Sequence, residues 1–197
     1  MKRPLVAALI FSVALLAGCA NHYALHSIQR SEQLDGKASA LIALPQDGMF
    51  ETITYPGSGR QTARAVAAAF TKHLTRVDIM AAAASSTEQL AAARSGGFDY
   101  LVTPSIAHWE DRATEWSGRP DRIEIEIRTL RASTGSTVTL GSVEGRSRWA
   151  TMGGDSPEDM LAEPLDAYVN WLFTAPGTPI PKTVPKSTPA QPTNQRR

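Results

Sequence analysis

The chain has 197 residues, with 20 Lys and Arg against 19 Asp and Glu and a formal net charge of +1. That balance lacks the cationic excess that holds a polyanion, so nucleic acid is excluded as a partner class. The length suits one domain with tails, and a single cysteine leaves no internal disulfide to staple it.

Lys2 and Arg3 precede an apolar run over residues 5–16, which closes on Leu16-Ala17-Gly18-Cys19. A basic start, a short apolar stretch and small residues before the cut form the secretory pattern, and the run is too short for an ordinary membrane span. The motif resembles the signal peptide of bacterial lipoproteins, with residues 1–18 removed and Cys19 as the lipidated first residue. The resemblance implies a diacylglycerol on the Cys19 sulfur and an acylated amino terminus. At about 0.8 kcal/mol per buried CH₂, several chains make such an anchor effectively permanent. Ala20, in place of an aspartate after the cysteine, points to the outer membrane. The alternatives are a shortened transmembrane anchor, or cleavage by an ordinary peptidase that leaves a free thiol. Removal of residues 1–18 takes Lys2 and Arg3 away and leaves the mature chain slightly acidic.

Residues 19–38 carry His22, His26, Gln29, Arg30, Glu32 and Asp35 with few large apolar side chains, and read as a tether. A globular α+β domain is expected over residues 39–175. Residues 39–44 form a short apolar run ended by Pro45, a buried-strand pattern. Ala63, Val66, Ala67, Phe70 and Leu74 recur at helical spacing over residues 60–74. Residues 76–82 read as a second strand, and Ser86 with Gln89 offers a capping box for a helix stopped by Gly96 and Gly97. A third strand over residues 98–109 is followed by a hairpin, residues 121–132 and 137–150, around Ser133-Thr134-Gly135-Ser136. Ile123, Ile125 and Ile127 alternate with Glu124, Glu126 and Arg128, so one side is core and the other solvent. Val138 and Leu140 are out of phase with Val143 and Trp149, which predicts a bulge at Gly141. Ser156 caps a last helical segment with Pro157 at its first position, and Pro164 inside it predicts a kink or two short helices. The sum is a mixed sheet of about five strands in β-α-β-α-β-β-β-α order with helices packed on it. Residues 176–197 are proline-rich and basic, a disordered tail.

The segment Ile106-Ala107-His108-Trp109-Glu110-Asp111-Arg112-Ala113-Thr114-Glu115-Trp116-Ser117-Gly118-Arg119-Pro120-Asp121 carries the densest chemistry. Together with the lipid motif, Ile123-Glu124-Ile125 and Gly153-Gly154-Asp155-Ser156-Pro157, it resembles a family of small Gram-negative lipoproteins defined by a domain of unknown function. That resemblance covers residues 20–174 and implies no reaction, cofactor or catalytic residue. The element order also resembles periplasmic modules such as the amino-terminal domain of the TolB translocation protein and the outer-membrane activators of peptidoglycan synthases. Such a likeness speaks to fold.

On strand geometry His108 and Glu110 share one face, Trp109 and Asp111 the other, and Glu115, Trp116 and Arg119 follow in a polar loop. These seven residues are the candidate ligand or partner surface. A histidine with carboxylates suits metal binding or acid-base work. The plainer reading is that Trp109 packs in the core, Trp116 pins the loop, and the charges pair with Arg112, Arg119 or Arg122. No metal and no cofactor are expected from so sparse a ligand set. Gly57-Ser58-Gly59 before a helix has the look of an anion loop, but lacks the lysine and spacing of a phosphate site. With no Gly-x-Ser-x-Gly elbow and the sole cysteine given to lipid, covalent catalysis has no actor.

The expected function is that of an outer-membrane-anchored, non-enzymatic periplasmic module, held to the membrane through Cys19, that binds another envelope protein or supports envelope assembly. The alternatives are a small-ligand or cell-wall-glycan binder using the loop from Trp109 to Arg119, and a metal-assisted hydrolase centred on His108, Glu110 and Asp111.

Overall fold

The structure is a computed structural model and describes residues 22–111, 120–147 and 156–182. Cys19, Glu115, Trp116, Arg119, Trp149 and residues 183–197 of the tail lie outside these. Six strands form one sheet in the order β1-β8-β7-β6-β2-β5. The strands are β1 (His22–Arg30), β2 (Ser39–Ile42), β5 (Arg76–Ile79), β6 (Tyr100–Glu110), β7 (Arg122–Arg131) and β8 (Thr137–Arg146). The pairs β1–β8, β8–β7 and β7–β6 are antiparallel, whereas β2 runs parallel to both β6 and β5. Two short strands, β3 (Met49–Phe50) and β4 (Ile53–Thr54), form a separate ribbon. The architecture is α+β with a mixed sheet, as the alternation of periods predicts.

Helices cover the sheet unequally. α1 (Ser58–Thr71) and α3 (Ala162–Leu172) share the main core, in which Val66, Phe70, Leu165 and Leu172 meet Ile123, Ile125 and Ile127 of β7. All three isoleucines are fully buried, and burial of each such side chain contributes about 1.5–3 kcal/mol. α2 (Ser86–Ser95) packs on the opposite face, where Ala93 and Leu90 join Leu41, Ala43 and Leu101. The 40/42 and 41/43 positions of β2 thus feed two different cores, which is why that strand reads as a continuous apolar run. Among the described residues no helix is long and apolar enough to cross a membrane.

The caps follow from side-chain chemistry. Ser85 and Glu88 form the box that starts α2, one residue earlier than the Ser86–Gln89 pair read from sequence. Ser156 donates from both its backbone N–H and its hydroxyl to Asp159 Oδ2, opening a 3₁₀ turn over Pro157–Met160. α3 then begins at Ala162, with Pro164 in its first turn, where a missing N–H leaves no intrahelical bond unmade. The two short helices expected around Pro164 are present.

Two readings are corrected. The stretch taken as a tether within residues 19–38 contains β1, paired with β8 from His22–Arg146 to Arg30–Thr139, as an edge strand of the six-stranded sheet. Only Leu25 among its residues is buried, because β1 lies at the sheet edge with a single neighbour, so no apolar alternation marks it. The second correction concerns β8. Thr129 faces Thr139 and Leu130 faces Thr137, so the residue left over is Val138, three positions before the bulge expected at Gly141.

Gly141 has a different reason. A Cβ built there would stand 2.4 Å from the His26 carbonyl oxygen of β1 and 2.7 Å from the Tyr168 hydroxyl of α3. Only glycine lets the helix come down on β8 while β1 stays paired. Burial pushes the Tyr168 hydroxyl pKa well up, and among the described residues that oxygen has no hydrogen-bond partner. Two substitutions should therefore diverge under denaturant. Gly141→Ala is expected to destabilise by more than about 2 kcal/mol, since backbone must shift. Tyr168→Phe, which removes an unsatisfied oxygen, should change stability by less than about 1 kcal/mol.

Candidate functional site

The end of β6 is positioned by the loop that enters α1. Asp47 accepts the backbone N–H of Gly57 at 3.0 Å and of Gly59 at 2.8 Å, so the glycine-rich turn at the helix start is already occupied by the chain's own carboxylate. A Cβ on Gly59 would lie 2.4 Å from the Pro45 carbonyl oxygen, which explains that glycine by packing. Ser58 Oγ accepts from Gly48 N–H at 2.8 Å and donates to the Tyr55 carbonyl at 2.7 Å. These bonds press Gly48 onto β6, where its Cβ would meet Trp109 Cβ at 2.6 Å.

Trp109 is 3% exposed and belongs to the main core, so it is no surface contact. His108 and Glu110 emerge on the other face, as strand alternation predicts, with His108 Nε2 and Glu110 Oε2 3.2 Å apart. A register shift between Ile106 and His108 precedes the pair. The Phe50 ring of β3 stands edge-on to His108, with centroids 5.1 Å apart. Asp111 is exposed at the strand end, and its backbone N–H donates to the Tyr55 hydroxyl at 3.4 Å. A shallow cavity of about 180 Å³ opens beside it, lined by Tyr55, Gln61, Asp111 and Glu158 among others. His108 and Glu110 supply two adjacent polar groups, and among the described residues no set of three or more His, Cys, Asp or Glu is placed to hold a metal. The structure brings His108, Glu110 and Asp111 to one strand end and sends Trp109 inward; Glu115, Trp116 and Arg119 fall outside the described residues. Sequence reading missed Phe50 and Tyr55, which reach the site from a loop whose sequence carries no signal for that contact.

On this same sheet face the charges interlock. Arg122 Nε donates to Glu144 Oε1 at 3.1 Å, Arg146 contacts the same oxygen at 3.2 Å, and Arg122 also meets Glu124 at 3.1 Å. His26 Nε2 stands 4.0 Å from the other Glu144 oxygen. Partial burial works against ionisation of Glu144, but the hydrogen bond from Arg146 and the charges of Arg122 and Arg146 outweigh it and hold its pKa below the ordinary carboxylate value.

The chain belongs to the family described as a domain of unknown function (DUF4823), which it matches over residues 32–172; β1 precedes that match. In fold it is similar to the PelC dodecamer from Paraburkholderia phytofirmans, with a TM-score of 0.60 at 12% identity over 77% of this chain and 97% of that one. It also matches lipoprotein GNA1162 from Neisseria meningitidis, with a TM-score of 0.39 at 13% identity over 59% and 86% of the two chains. The LpoB C-terminal domain from Salmonella enterica gives 0.32 at 12% identity over 58% and 85%. No curated protein matches the chain.

Because the folded pKa of Glu144 lies below that of the unfolded chain, its stabilisation is complete above about pH 4.3 and is lost as pH falls through the folded value. Glu144→Gln should cost about 1 kcal/mol at neutral pH. Denaturant unfolding of wild type and variant should show that gap closing in acid.

Proposed function

We propose that this chain is a lipid-anchored, non-enzymatic module of the outer membrane that binds another envelope protein or supports envelope assembly. The observation that carries the reading is the open face of β1, β8 and β7. Among the described residues α2 reaches only the Leu130 end of β7 on this side, and the rest of the face presents His26, Glu124, Glu126, Arg128 and Glu144 in mixed sign. A polar, charge-patterned surface of this kind suits a reversible protein contact, in which complementarity sets the partner and the rate of encounter. The motif at Cys19 supplies the address, and His108 with Glu110 extends the same face onto β6. The PelC relative is a dodecamer, so contacts between copies of this chain belong among the candidates to be sorted.

Crosslinking in the cells of its own host, followed by mass spectrometry, tests both halves. The expected result is a triacylated Cys19 and one recurrent envelope neighbour, joined through residues of β7 and β8, whose recovery falls when Glu126→Lys reverses a charge on that face. An acylated Cys19 with no neighbour above background would overturn the binding role, and an unmodified Cys19 would overturn the anchor.

A further inference from the structure

The distance between the lipid and the first strand decides how the domain sits on its membrane; this step rests on acylation of Cys19. β1 starts at His22, so only Ala20 and Asn21 intervene, and three residue steps reach at most about 11 Å. Nor is β1 free to swing, since His22 is already in register with Arg146 of β8. The sheet end at which β1 begins must lie within that short reach of the acylated sulfur. β6 ends there at Glu110, β7 starts there at Arg122, and β8 ends there at Arg146.

Two features mark this end. Its last rung sets His22, Arg146 and Arg122 side by side across three strands, with Glu110 completing it on β6. Like charges directly opposite one another are unfavourable in a sheet. Glu144, two rungs further in, draws both arginines inward and Glu124 beside it also takes Arg122, yet the Arg146 side chain stays 55% exposed and that of Arg122 34%. On the other flank the β3–β4 ribbon lies beside β6 through the Phe50–His108 contact. It leaves Met49 58% and Ile53 55% exposed, half of the four large exposed hydrophobics among the described residues.

We propose that this end of the sheet is a membrane-docking surface. The Arg146 side chain, more than half exposed, meets headgroup phosphates, and Met49 and Ile53 enter the boundary between headgroups and acyl chains. Little intrinsic affinity is needed, because the anchor keeps the surface at high effective concentration over the bilayer. The turn between β7 and β8 lies at the other end of strands about 30 Å long, and so faces away from the membrane, toward whatever the module binds.

The test uses the full lipidated chain in vesicles of phosphatidylethanolamine and phosphatidylglycerol that contain brominated lipid. Acylation consumes Cys19, so a cysteine introduced by Met49→Cys or by Ser136→Cys takes a single fluorophore. Quenching at Met49→Cys should exceed that at Ser136→Cys by about twofold or more. It should fall toward the Ser136→Cys level when about twelve Gly and Ser residues, with a reach of roughly 20 Å, are inserted between Ala20 and Asn21. Flotation with the vesicles reports the anchor separately. A chain that floats but shows equal quenching at both sites, or no response to the insertion, overturns the docking surface. A chain that does not float removes the anchor and the docking with it.

Discussion

Three elements converge on Gly141, and the rest of the structure depends on that convergence. β8 is the strand on which both its neighbours lean: β7 pairs on one side, β1 on the other, and α3 crosses above. With the His26 carbonyl and the Tyr168 hydroxyl both inside the volume a Cβ would fill, any other residue forces apart either the β1–β8 ladder or the seat of α3. The main core, into which Tyr168, Leu165 and Leu172 are fully buried, exists at its observed density only while both hold.

β1 is fastened at its far end as well. The Arg30 guanidinium lies 4.4 Å over the Trp171 ring and donates to the carbonyls of Leu172 and Thr174 at the carboxyl end of α3. Leu34 N–H adds a bond to the Leu172 carbonyl at 3.1 Å. A cation over an indole face, with its donors satisfied by helix-terminal carbonyls, suits both the ring quadrupole and the helix dipole. The strand nearest Cys19 is therefore coupled to the last helix and through it to the core.

How far this was legible from sequence depended on whether a residue's neighbours are local. Ile123, Ile125 and Ile127 announced the core face of β7 because alternation is a property of the strand itself. Ser156 and Pro157 announced a helix start for the same reason. The side-by-side placement of His108 and Glu110 followed from strand spacing, as did the inward turn of Trp109. What stayed hidden was set by distant chain. β1 has one neighbour and one buried residue, so its polar sequence looks like a linker. The phase change at Val138 was assigned to Gly141, whose absent side chain answers a helix nearly thirty residues away. Phe50, Tyr55 and Asp47 act through contacts that only the folded loop creates. Asp47 in particular converts a glycine-rich turn that resembled an anion site into a self-capped helix start.

Hydrogen exchange on the full chain, read residue by residue, tests most directly the claim that the segment following Cys19 is part of the fold. If β1 is an integral strand, its amides bonded to β8 exchange on the timescale of those in β7, since opening them requires breaking the contacts at Gly141 and Arg30. Exchange across residues 22–30 at the rate of unstructured chain, with β7 and β8 still protected, would contradict it and restore the segment to a tether.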